Sequence, residues 1–250
     1  MQALERATAI LDCFTMEQPQ LGVREVARKT GLSPSTTGRM MAAMKGLGVL
    51  SQDPQSLHYT MGFKVLAWSG IYHVTNDVRK LALPVMVALH AQTRETVSLY
   101  MLDGNERICV ERLESPETVR IVAQVGRRIP LYAGSAGKVF LAFLPPARSE
   151  EILRQVELKP MTAKTITDVD ILRTDLEKIR KQGYAVSKGE WVLEASGVAA
   201  PIFDQSHTIT AALTVSGPAQ RFNEQKIHEI AQVLTQSTAA ISRDLGCNLG

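Results

Sequence analysis

Residues 31–46, GLSPSTTGRMMAAMKG, decide how the front of the chain is read. Gly31 and Leu32 form a turn, Ser33 reads as a helix N-cap, and Pro34 as the first helical residue. On a 3.6-residue wheel Thr37, Met40, Met41 and Met44 share one face, which is predicted to be buried. The opposite face carries Ser35, Gly38, Arg39, Ala42 and Ala43, small side chains and one arginine where a solvated helix would show Glu and Lys.

Working outward, the periodicity predicts a first helix over residues 2–15, with Leu4, Ala7, Ile10, Leu11 and Phe14 on one side. A short helix over Val23–Lys29 ends at Gly31, and the quoted helix follows after a three-residue turn. Two short helices joined by a tight glycine-containing turn make a helix-turn-helix. The next stretch, VLSQDPQSLHYTMG, reads as strands over Val49–Gln52 and Leu57–Met61 joined by an Asp53-Pro54 turn. The combination is a winged helix. Between Glu25 and Asp53 there is no acid, while Arg28, Lys29, Arg39 and Lys45 lie inside that window, so a polyanion is attracted there. The net charge of +3 is by itself too mild to diagnose a nucleic-acid binder.

Residues 62–76 read as a helix with apolar residues on more than one side (Phe63, Val65, Leu66, Trp68, Ile71, Tyr72), which calls for a second subunit as partner. A helix over 77–93 carries Pro84, which should kink or restart it. From Thr96 the period changes to two. TVSLYMLD and RICVERLE flank Asp103-Gly104-Asn105 as a hairpin, and VRIVAQV (119–125) reads as a third strand. A loop-to-helix stretch, IPLYAGSAGKVFLAFL, follows. Thr167 is then expected to cap a helix over Asp168–Gln182, ended by Gly183. GVAAPIFD and TITAALTVSG form a second hairpin around Asp204–His207, before a last helix from about Asn223 to Leu245. Helices flanking a mostly antiparallel sheet make an α+β domain. The expected organisation is residues 1–61 as a winged helix-turn-helix, 62–76 as a linker and dimerisation helix, and 77–250 as a ligand-binding domain.

The composition, 45% hydrophobic and 21% charged in 250 residues, is that of an ordinary soluble globular protein. No apolar run approaches the ~20 residues of a membrane helix, and the acidic, amphipathic start is not a targeting segment; the expectation is a cytoplasmic protein without membrane contact. Cys13, Cys109 and Cys247 are far apart and odd in number, which argues against disulfides and zinc. The five histidines show no metal spacing, so neither metal nor cofactor is expected.

Six strings in this order resemble the IclR family of bacterial transcription regulators. They are LERATAIL, REVARKTGLSPSTTGRMM, YTMGFKVLAWSG, IPLYAGSAGKVFLA, QGYAVSKGEWVLEASGVAAPIFD and AALTVSGPAQRF. The resemblance implies a winged-helix domain on double-stranded operator DNA, a dimerising linker helix, and a GAF-like domain that binds a small effector, in a homodimer or dimer of dimers. The bare face of 35–43 then enters the major groove, where small side chains allow close approach and Arg39 supplies a long donor. The residues assigned to DNA are Arg24, Ser33, Ser35, Thr36, Arg39 and Lys45. In family members that sense 2-oxo acids, the pocket is lined by the turn equivalent to Gly134, Ser135 and Ala136, by an acid, by a cysteine and by hydroxyls. Here the turn and the hydroxyls (Thr214, Ser216) are kept, while Ser187 stands at the acidic position and Gly197 at the cysteine position. A one-residue slip would bring Lys188 inward instead. Both replacements remove bulk, so the expected effector is an aromatic or medium-chain organic acid rather than glyoxylate or pyruvate.

A rival reading makes YAGSAGK catalytic. A phosphate loop fails, because Tyr132 stands where glycine is required and Val139 where Ser or Thr is. A degenerate nucleophile elbow would use Ser135 as a serine hydrolase, with Asp204, His207 or His228 as partners. Pro130 breaks the preceding strand and no glycine-rich oxyanion loop lies upstream, so the regulator is preferred and no catalytic residue is assigned.

Overall fold

Ser33 starts helix α3: its Oγ accepts the Thr36 N–H at 3.2 Å, and Pro34 occupies the first turn, where no N–H is needed. The computed structural model describes residues 2–75, 77–121 and 124–248. It divides into two units, Met1–Thr75 and Asn76–Gly250. The first holds α1 (Gln2–Leu11), α2 (Val23–Thr30), α3 (Pro34–Gly46), the hairpin β1 (Leu50–Gln52) and β2 (Tyr59–Met61), and α4 (Phe63–Thr75). Gly31 closes α2 at φ 72°, the left-handed conformation that makes glycine the suitable residue for this turn. Ile10, Leu21, Val26, Met41, Leu50 and Tyr59 form the core of this unit.

Several boundaries differ from the sequence reading. Helix α1 stops at Leu11 because its last turn tightens, with Cys13 N–H donating to Ile10 and Phe14 N–H to Leu11. Leu4 is exposed, and Met40 is only half-buried. The wing strands are shorter than expected, and Leu21 adds a third rung by exchanging both backbone hydrogen bonds with Tyr59. At the exit of the wing, a Cβ on Gly62 would stand 2.2 Å from the Gly48 carbonyl oxygen, so the chain passes there only as glycine.

The second unit contains α5 (Asp77–Thr93), β3 (Thr96–Asp103), β4 (Glu106–Leu113), β5 (Arg128–Pro130), α6 (Ser135–Phe143), α7 (Pro146–Gln155), α8 (Val169–Gln182), β6 (Ala185–Lys188), β7 (Ala195–Phe203), β8 (Ile209–Pro218) and α9 (Glu224–Asp244). The strands make one antiparallel sheet in the order β5-β4-β3-β8-β7-β6. Alternation divides each strand between two cores. Val97, Leu99, Val198, Ala200, Leu213 and Val215 pack with Met86 and Leu89 of α5 and Ile230, Leu234 and Ile241 of α9. Tyr100, Cys109, Ala199 and Ala212 pack on the other face with α6, α7 and α8.

Here too the expectations need adjusting. Helix α5 is one element through Pro84, neither stopped nor restarted. The third strand is not VRIVAQV: residues 119–121, 124 and 125 form no strand, and Val122 and Ala123 lie outside the described residues. The strand that pairs with β4 is β5, with Ile129 opposite Arg107. Asp168, not Thr167, caps α8, its carboxylate accepting the Asp170 and Ile171 N–H groups at 2.8 and 3.0 Å. Strand β6 and helix α7 complete the fold without having been read from the sequence.

Candidate functional site

In the first unit, Ser35, Arg39, Ala42 and Ala43 are exposed and Gly38 is half-buried, while Thr37, Met41 and Met44 are buried. The outward face of α3 is therefore as bare in the structure as in the sequence. Arg24 and Arg39 are exposed and, among the described residues, take part in no ion pair. Ser33 Oγ is occupied as cap and also donates to Thr36 Oγ1 at 2.9 Å. Lys45 reaches the wing, where its Nζ donates to Gln52 Oε1 at 2.9 Å. Pro34 has no N–H and the Thr36 N–H is capped by Ser33, so in the first turn of α3 the Ser35 N–H is the group left available to an anion.

In the second unit the alternation of the strands creates a cavity of about 120 Å³ between the sheet and the start of α6. Its wall includes Gly134, Ser135 and Ala136 from the turn, Ser187 from β6, Gly197 from β7, and Thr214 and Ser216 from β8. The register explains the convergence. Ser187 lies opposite Gly197 and Gly197 opposite Ser216, one row across the sheet, and Thr214, two residues before Ser216 and opposite Ala199 and Ser98, is on the same α6 side. Ser187 is buried and Lys188 exposed, which excludes the slipped register. The space vacated at Gly197 is partly refilled: a Cβ there would lie 3.2 Å from Ser135 Oγ and 3.4 Å from Ser216 Cβ.

The turn is braced by a carboxylate that is not among the residues lining the cavity. Glu190 accepts the Gly134 N–H at 3.1 Å with Oε2 and the Lys138 ammonium at 2.6 Å with Oε1. Lys138 is 2% exposed and also donates to Asp175 at 2.8 Å and to the Val186 carbonyl at 3.0 Å. The Gly-Lys pair that invited comparison with a phosphate loop is thus an internal strut. It ties the turn to α8 and to the segment after β6.

Sequence reasoning missed Tyr100, Arg107, Arg127, Ser196 and Trp191, all of which line the cavity. Arg107 enters from β4, and its guanidinium lies 5.5 Å from the centre of the Tyr100 ring. Arg127 lies 5.5 Å from the ring centre of Trp191. Burial pushes the Cys109 thiol and the Tyr100 hydroxyl up to about 12, so neither is a nucleophile at neutral pH. The hydrolase alternative also lacks its base. His207 Nδ1 stands 3.5 Å from Cys247 Sγ and His228 pairs with Gln232 at 3.1 Å, and neither histidine lines the cavity that holds Ser135. Among the described residues no group of His, Cys, Asp and Glu could hold a metal ion, and no helix is long and apolar enough to cross a membrane.

Comparison with known proteins agrees over nearly the whole length. The family model described as IclR helix-turn-helix domain matches residues 3–54, and that described as bacterial transcriptional regulator IclR C-terminal matches 71–243. The transcriptional regulator KipR of Bacillus subtilis is 33% identical over 241 residues, 96% of each chain. The transcriptional repressor AllR of Escherichia coli is 32% identical over 245 residues, 98% of this chain and 90% of that one. The crystal structure of an IclR homologue from Microbacterium hydrocarbonoxydans complexed with 4-hydroxybenzoate has a TM-score of 0.83 at 27% identity, covering 97% of this chain and 98% of that one.

Proposed function

The chain belongs to the IclR family of bacterial transcriptional regulators, and from that premise we propose that it is a repressor whose hold on operator DNA is set by a small organic acid bound in the cavity of its second unit. It is a DNA-binding regulator and not an enzyme, as its relatives are named. The observation that carries the effector reading is the convergence of seven residues, from the α6 turn, β6, β7 and β8, on one cavity. An apolar cavity of roughly 150 Å³ accepts one benzene ring. At about 120 Å³ and lined by Trp191, Tyr100 and Ile129, this one suits a single-ring or medium-chain acid. The 4-hydroxybenzoate bound to the Microbacterium homologue supports the aromatic choice.

On DNA, Ser35 and Arg39 face the major groove, and Ser33, Thr36, Arg24 and Lys45 serve the phosphate backbone. Phe63, Leu66 and Trp68 of α4 are exposed apolar residues that a second subunit would cover, giving a homodimer or a dimer of dimers. Two recognition helices match two half-sites only about one duplex turn apart, ~34 Å. An acid that favours one arrangement of the dimer by ~1–3 kcal/mol changes operator affinity some 5- to 150-fold. The test screens the full chain by thermal shift against benzoates, medium-chain acids, pyruvate and glyoxylate. Each hit is then titrated into a protein–operator complex. Stabilisation by pyruvate or glyoxylate with no response to benzoates would refute the aromatic assignment.

A further inference from the structure

We propose that Arg107, which the sequence reading did not select, is the anion-binding residue of the cavity, holding the ligand's carboxylate against the first turn of α6; this rests on the cavity being the effector site. Arg107 is 4% exposed, yet no carboxylate lies within ion-pair distance of it among the described residues. Elsewhere in this unit a buried cation has its counterion: Lys138 has Glu190 and Asp175. The Arg107 guanidinium has only part of its donors used. Nη1 donates to the Pro130 carbonyl at 2.5 Å, while Nε is buried without an acceptor. Beside it, Thr214 Oγ1 is likewise buried and without a partner, and both residues line the cavity. Burial pushes the guanidinium down to about 10, still well above neutrality, so it remains a cation in an apolar setting.

Its position is prepared by missing side chains. A Cβ on Gly134 would come within 3.1 Å of Nη2, and one on Gly137 within 2.4 Å of Nη1. Gly134 in the turn and Gly137 inside α6 thus leave room for the guanidinium at the start of α6, and Gly137 is required as well by the Leu131 carbonyl oxygen, 2.2 Å from such a Cβ. There the N–H groups of Ser135 and Ala136 start the helix and have no acceptor in it. A buried guanidinium with no carboxylate in contact, balanced only at longer range by Glu190, is costly, and a fixed planar fork beside open N–H donors and a hydroxyl is a carboxylate receptor. One unpaired interior cation calls for a monoanion, so the site should choose acids over neutral molecules of the same shape.

The experiment measures binding of 4-hydroxybenzoate and its neutral isostere 4-hydroxybenzamide, with benzoate, hexanoate and pyruvate as further acids. The proteins are the full-length wild type, Arg107→Gln and Arg107→Lys. Wild type should bind the best acid at least tenfold tighter than the amide. Arg107→Gln should lose about a hundredfold in acid affinity. Its ligand-free melting temperature should equal or exceed the wild type's, because an unpaired buried cation has been removed. Arg107→Lys should keep a preference for acid at reduced affinity, and this variant decides the matter if Arg107→Gln does not fold. Acid affinity within threefold of wild type in Arg107→Gln, or a wild type that binds acid and amide equally, overturns the role of Arg107. A wild type that responds to no acid in the panel overturns the acid-effector reading beneath it.

Discussion

Glu190 should be the most consequential carboxylate in the second unit, and the size of its effect follows from its contacts. It accepts Lys138 at 2.6 Å and Gly134 N–H at 3.1 Å, and Lys138 is 2% exposed. Glu190→Gln keeps an oxygen in place but exchanges a charge-assisted bond of ~1.5–3 kcal/mol for a neutral one of ~0.5–1.5, a cost of about 1–2 kcal/mol. Glu190→Ala removes the partner altogether. The remaining Asp175 is 30% exposed and at 2.8 Å, so the loss should fall near the low end of the ~3–5 kcal/mol for breaking a buried pair. For a unit of this size ~1 kcal/mol is worth about 2–4 °C. Thermal unfolding should therefore show the second unit's transition falling by about 2–8 °C for Gln and 6–12 °C for Ala. Replacing both charges, Lys138→Met with Glu190→Leu, should cost less than the sum of the single variants, since no unpaired buried charge is left, while the orphaned Gly134 N–H and Val186 carbonyl keep it below wild type. A loss below about 1 kcal/mol for Glu190→Ala, or a double variant as unstable as the sum of its singles, would refute the reasoning.

Arg39→Ala should cost ~1–3 kcal/mol in operator binding and relax the preference at one base position; in a salt titration, a uniform loss on all sequences with a shallower slope would make Arg39 a phosphate contact instead. Gly197→Cys should weaken 4-hydroxybenzoate relative to pyruvate in calorimetry, because its Cβ would press on Ser135 Oγ at 3.2 Å; an unchanged ratio would place the ring elsewhere. Residues 77–250 expressed alone should fold and bind the same acids as the full chain, and residues 1–76 alone should bind DNA weakly. Loss of ligand from a folded 77–250 fragment would contradict the assignment of the effector site to that unit.

Helix α3 was legible because its signals are local: a cap at Ser33, Pro34 behind it, and a face emptied of acid and bulk. The cavity was half legible. The turn and the alternating Thr214 and Ser216 carry their own pattern, whereas Arg107 does not. In β4 the register with β3 shifts between Leu99 and Tyr100, whose partners are Glu111 and Cys109, leaving Val110 as the extra residue. Ile108 and Val110 keep a spacing of two on the α5–α9 side and only the step to Leu113 breaks it, so Arg107, alternating with them on the opposite face, reads from sequence as an ordinary solvent-facing charge. The available hint was Gly137, a glycine inside a helix, which marks a close approach by something. Helix α7 and strand β6 escaped because one is mostly polar and the other only four residues long. The fit of Glu190 to Lys138 spans 52 positions and is a matter of tertiary packing.

The central claim joins an acid in the second unit to the grip of the first on DNA. It is tested most directly by fluorescence anisotropy of the full chain on an operator that the protein has itself selected from random duplex DNA. Affinity is measured with and without an acid at 100 times its dissociation constant, where binding should also stabilise the fold by ~2.7 kcal/mol. The account predicts a 5- to 150-fold change in operator affinity that shrinks in Arg107→Gln, whose hundredfold weaker site is only about half filled at the same acid concentration. An operator affinity that stays constant while the melting temperature proves the acid bound would contradict it.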